Sequence, residues 1–133
     1  MDVFSAEQRS RIMSRIRSSR NNSTELRLIR IMRRNRIIGW RRGSPLPGKP
    51  DFVFKRERVA VFVDGDFWHG NPQRFCMPKS HTQYWHAKIL GNKLRDRRVS
   101  RALRAQGWAV LRFWESQLRD EVLIIKKLKA KLG

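Results

Sequence analysis

The chain has 133 residues, and its 31 Lys plus Arg against 11 Asp plus Glu leave a formal net charge of +20. Its 40% hydrophobic content, with five Trp and seven Phe, supplies material for a packed core and excludes a disordered basic tail. No apolar run reaches the roughly 20 residues of a membrane span, and the single Cys76 excludes an intramolecular disulfide framework and a cysteine-rich zinc site.

The expected organisation is one domain over residues 1–133, in a reducing cytoplasm and associated with the nucleoid. No signal peptide is expected, because the first residues lack an apolar stretch. Ser5 to about Arg17 reads as a short, very basic helix with Ile12 and Ile16 four residues apart, so residues 1–20 become a candidate DNA clamp. Asn22 and Glu25 suggest a capping box opening a second helix, in which Leu26, Ile29 and Met32 would supply the apolar face. Residues 43–48 read as a Pro/Gly loop. The period then changes. Asp51–Phe54 and Val59–Asp64 are short β-rich runs around the polar residues 55–58, a hairpin. A loop over 70–79 precedes a helix from Gln83 to Ala105, carrying Trp85, Ile89 and Leu94 inward. Gly107 ends that helix, and Trp108–Trp114 forms another strand. Leu118, Val122, Ile125, Leu128 and Leu132 then mark a final amphipathic helix. The order α-α-β-β-α-β-α implies an α/β fold, a mixed sheet flanked by helices.

The charge is spread through the whole chain and is rich in Arg, which points to a folded surface gripping phosphates. Charge alone leaves two partners open, that of a basic structural nucleic-acid binder such as a ribosomal or architectural protein and the double-stranded DNA of a DNA enzyme. A membrane surface fits less well. Against this background the acidic residues carry the chemistry. In an antiparallel hairpin Asp51 and Asp64 would lie at one edge, and two close carboxylates repel unless a hard cation or a shared proton intervenes. Mg²⁺ suits such a pair, and with it phosphodiester hydrolysis. His69 is the candidate general base, and Glu25 could hold a metal-bound water. Phe67 and Trp68 lie between Asp64 and His69 and would line the site, where apolar wedges can unstack a base step. The plain alternative is structural: an acid in a basic protein often makes an Arg salt bridge, and aromatics at a strand end are often core.

Several segments together resemble the very-short-patch repair (Vsr) endonucleases. They are Arg11–Arg17, Leu46–Phe52, Val63–Gly70, Tyr84-Trp85 with Lys88-Ile89, Asn92 and Arg95-Asp96, and Gly107–Glu115. The resemblance covers nearly the whole chain. It implies a restriction-endonuclease-like α/β fold and a Mg²⁺-dependent enzyme that nicks one strand beside a T:G mismatch, with other repair proteins as partners. By the resemblance, Asp51 is the principal metal ligand, the Val63 carbonyl a further metal contact, and Asp64 a second catalytic and metal position. His69 is the base, Glu25 the helix carboxylate and Asp96 a supporting acid. Phe67, Trp68 and Trp85 would wedge into the duplex from one groove and Met13 from the other, while Asn92 and Arg95 belong to the DNA-binding pattern.

One departure stands out. The family usually holds a structural zinc, but Asp66, Asn71 and Ser116 occupy positions where its Cys or His ligands are expected, and Cys76 with His81 cannot rebuild the site. No structural zinc is expected. The 66–80 loop would then be held by packing or be more mobile. Two other readings remain open: a site-specific, homing-type endonuclease with the same catalytic residues, and a catalytically silent basic DNA-binding protein.

Overall fold

The computed structural model describes residues 23–66, 70–72 and 77–133. The expected basic helix with Met13 lies outside these residues, as do Phe67, Trp68, His69 and Cys76.

Four strands form one mixed sheet, ordered as in the chain: β1 (Trp40–Arg41), β2 (Phe52–Phe54), β3 (Val59–Asp64) and β4 (Ala109–Trp114). The first two pairings are antiparallel and the third is parallel. A parallel neighbour needs a long crossover. Helix α2 (Thr82–Ala105) lies in that connection. Helix α1 covers residues 23–34, and helix α3 (Glu121–Leu132) follows a 3₁₀ turn at Glu115–Arg119.

Strand periodicity divides the core in two. Phe52 and Phe54, Val59, Val61 and Val63, and Leu111 and Phe113 meet α1 through Leu28 and Met32 and α3 through Ile124 and Leu128. The intervening Val53, Ala60, Phe62 and Val110 meet Leu103 of α2, with Leu46, Val99 and Trp108 packed alongside. Every residue of β2 and β3 is buried, as their unbroken apolar runs require of strands covered on both faces. The expected α/β arrangement, a mixed sheet flanked by helices, is present. Arg34 of α1 also pairs with Glu121 of α3 across their shared face.

Local phase departs from the sequence expectation at four places. Leu26 is exposed, and Leu28 and Ile31 join Ile29 and Met32 inside, because six residues separate Leu26 from Met32 and place them on different sides of a helix. Leu94 is likewise exposed, nine residues or half a rotation from Trp85; the inward row runs through Trp85, Ile89 and the polar Asn92. Val122 is 78% exposed, because the Asp120 side chain accepts a hydrogen bond from the Leu123 amide, starts α3 afresh and turns Ile124 inward. The two-residue β1, pairing Trp40 with Phe54 and Arg41 with Val53, is too short to leave a periodic signal.

Candidate active site

Asp51 precedes β2, and the register Phe52↔Val61 sets it beside the end of β3. Its Oδ2 accepts a hydrogen bond from the Val63 amide at 2.7 Å. The loop before it is pressed onto α2: Gly48 has φ +76°, and a Cβ there would come within 2.4 Å of Val99. A residue with a side chain at this position would push Lys49 and Asp51 off the sheet end. Asp51 thereby stands between two cavities. One, of about 500 Å³, includes Lys49, Asp51, Asp64, Arg95, Asp96 and Arg112 in its wall. The other, of about 620 Å³, reaches Glu25 and Arg42.

Burial is the main cause that pushes the Asp51 carboxyl up to about 7. A hydrogen bond with Glu25 and the nearby charges of Glu25 and Asp64 add to the rise, against the pull of the Val63 amide. So the hairpin does bring Asp51 near Asp64, and α1 brings Glu25 to Asp51. Glu25 is in turn paired with Arg42. Among the described residues no ion pair involves Asp51.

Asp64 is placed differently. It is buried, and Nη1 of Arg112 reaches its two oxygens at 3.0 and 3.2 Å. The parallel register sets Phe62 opposite Arg112, and the guanidinium carbon lies 4.1 Å from the Phe62 ring centroid. Arg112 also donates to Ser100 Oγ at 3.0 Å and to the Asp96 carbonyl at 3.3 Å, and stands 3.8 Å from the Asp96 carboxylate. One side chain thus ties β3 and β4 to α2 in the cavity wall. Sequence reasoning missed Arg112, yet the signal was there: a lone Arg in the apolar strand Ala109–Trp114 points to the face of Phe62 and Asp64 by period two. Lys49, facing both cavities, was missed as well.

Beyond β3 the chain is clasped at both ends of the segment that carries residues 67–69. Asp66 Oδ1 accepts from Asn71 Nδ2 at 2.8 Å and from Ser116 Oγ at 3.0 Å. The Asp66 amide donates to Glu115 at 3.1 Å, and the Asn71 amide to the Asp66 carbonyl at 2.8 Å. The three positions at which the resemblance expects zinc ligands therefore hold one another by hydrogen bonds. An amide, a hydroxyl and a single carboxylate are not a zinc donor set. Gly70 adds a close approach to α2, with φ +63° and Ile89 Cγ2 2.9 Å from where a Cβ would lie.

Of the remaining site residues, Trp85 is buried near the start of α2, edge-on to Tyr84 with ring centroids 4.9 Å apart. Asn92 is buried and accepts from Arg95 at 2.9 Å, and Arg95 lines the cavity of about 500 Å³ beside Asp96. Among the described residues no group of three His, Cys, Asp or Glu is arranged as a metal cage, and no helix is long and apolar enough to cross a membrane.

The family model for the DNA mismatch endonuclease Vsr matches residues 1–75. The chain belongs to the Vsr family. A type II nicking enzyme of Neisseria meningitidis serogroup C, V.NmeDIP, is 41% identical over 120 residues, covering 89% of this chain and 80% of the relative. The nicking enzyme V.XorIIP of Xanthomonas oryzae pv. oryzae is 39% identical over 123 residues, or 90% and 88% of the two chains. The DNA mismatch endonuclease Vsr of Escherichia coli K12 is 36% identical over 119 residues, or 89% and 76%. As a member of that family the chain is a DNA endonuclease.

Proposed function

We infer that this endonuclease depends on Mg²⁺ and nicks one strand of duplex DNA beside a T:G mismatch. The observation that carries the metal is the placing of Glu25 and Asp64 around the buried Asp51, whose carboxyl is raised to about 7 by burial first and by these neighbours in addition. A hard cation with few protein ligands relieves that crowding. Asp51 and the Val63 carbonyl are the groups that would hold it, and Asp64 would join only on leaving Arg112. When bound, Mg²⁺ supplies charge at the scissile phosphate and at the leaving oxygen. His69 is proposed to take the proton of the attacking water, and Glu25 to orient that water. Lys49 and Arg95, lining the cavity, meet the phosphates on either side. Phe67, Trp68, Trp85 and Met13 are proposed to open the base step, which a mismatch has already weakened. The family's description as a DNA mismatch endonuclease supports a mismatch as the substrate, and the T:G pair is what the resemblance implies.

End-labelled duplexes identical except for one T:G pair test this reading. With Mg²⁺, a nick in one strand of the mismatched duplex is expected and none in the matched one. Cutting of both at one sequence would establish the homing-type reading instead, and no cutting of either the silent binder.

A second part of the proposal is that the Asp66–Asn71–Ser116 clasp does the work of a zinc. Asn71 is 3% exposed, so Asn71→Ala should cost about 1–2 kcal/mol by stranding its partners. Melting of the wild type should not respond to a chelator. One stoichiometric zinc per chain in metal analysis would overturn the idea.

A further inference from the structure

Three Arg residues that the site leaves unused form a row on α2. Arg97, Arg101 and Arg104 follow one another at four and three residues, the spacing of one helix stripe. All are exposed. With Asp96, Ser100 and Arg112 they line a separate groove of about 410 Å³. Two of its residues, Asp96 and Arg112, also line the cavity of Asp51 and Asp64, so the groove continues the active cavity along the helix. No ion pair among the described residues involves Arg97, Arg101 or Arg104. By contrast, Arg34, Arg42 and Arg112 each answer a carboxylate.

We propose that this groove is a phosphate track: Arg97, Arg101 and Arg104 bind the sugar–phosphate backbone of duplex DNA leading away from the nicking site. The stripe spans seven residues, roughly 10 Å of helix at 1.5 Å per residue. One DNA strand carries a phosphate about every 3.4 Å of axis, so the row matches about three phosphates. A planar guanidinium grips phosphate in a bidentate fork, which fits Arg at all three positions. The ligand chemistry is sequence-independent, so the track sets position and not the choice of step. The inference rests on duplex DNA as the endonuclease's partner and adds a binding surface outside the catalytic cavity.

Affinity for a matched duplex without Mg²⁺, measured against salt concentration, tests it. In the Arg97→Gln/Arg101→Gln/Arg104→Gln variant the slope of log K against log salt should flatten by about 3, close to one per lost phosphate contact. The control removes equal charge from the opposite layer, as Lys126→Gln/Lys129→Gln/Lys131→Gln on α3, and should leave the slope in place. Equal flattening in both variants would reduce the row to part of the general positive field, and no flattening in the first would remove it from the interface. Either result overturns the track. Nicking by the wild type is scored in parallel, so failure of the endonuclease reading shows there as absent cleavage, independently of the slope.

Discussion

Asp51→Asn should abolish nicking and at the same time make the protein harder to melt. The catalytic half follows from the proposed metal site. Removing the carboxylate takes away the principal ligand, a loss of several kcal/mol in the transition state and roughly 10³-fold or more in rate. The stability half follows from the raised carboxyl. A folded-state value of about 7 against the ordinary 3.8 means the folded protein holds a proton that the unfolded chain releases. Stability from that proton is fully present below about pH 3.8 and is lost as pH rises through about 7. Asn is neutral throughout, and its side-chain oxygen can still accept from the Val63 amide while its amide donates to Glu25. The advantage of the variant should therefore grow between pH 4 and pH 7 and level off above. Its ceiling is about 4 kcal/mol at 1.36 kcal/mol per pH unit, reduced by whatever water reaches the partly exposed group. Thermal melts at pH 4, 6 and 8, without divalent ions, measure it. A pH-independent difference would mean that Asp51 is not protonated by its surroundings, and persistent nicking would remove it from the metal site.

Such a site is a place where activity costs stability, and that is also why part of it could be read from the sequence. Unbroken apolar runs made β2 and β3 visible, and their hairpin connection placed Asp51 beside Asp64 at the end of β3 without any knowledge of the rest of the fold. Glu25 was recognisable as an acid at a helix start, but its meeting with Asp51 depends on how α1 docks, which packing decides. The inward row of α2 was misjudged because its third member is Asn92 and not an apolar residue. Polar side chains take core positions where the helix faces a reactive cavity, so hydrophobic phase fails at the site itself. The clasp was invisible for a related reason. Asp66, Asn71 and Ser116 identify themselves as missing zinc ligands, but their mutual hydrogen bonds need two segments fifty residues apart in sequence to meet.

Arg112 gives the other large expected effect. Arg112→Met keeps an unbranched side chain over Phe62 but removes the guanidinium that reaches both oxygens of the buried Asp64. Removing one partner of a buried pair costs about 3–5 kcal/mol, much of it the penalty on the charge left behind. The Arg112 side chain retains 22% exposure and the Asp64 side chain 10%, so the lower end, about 3 kcal/mol, is expected. If the penalty belongs to the stranded carboxylate, the Arg112→Met/Asp64→Asn double variant should recover most of the loss. A double-mutant cycle on denaturant midpoints isolates that term from the hydrogen bonds to Ser100 and the Asp96 carbonyl, which the double variant still lacks. Additive losses would instead make Arg112 chiefly a tie between β4 and α2. The same cycle bears on catalysis. An Asp64 released from Arg112 is a second carboxylate beside Asp51, so Arg112→Met should bind a non-catalytic divalent ion such as Ca²⁺ more tightly than the wild type. Unchanged Ca²⁺ affinity would show that Asp64 takes no part in metal binding.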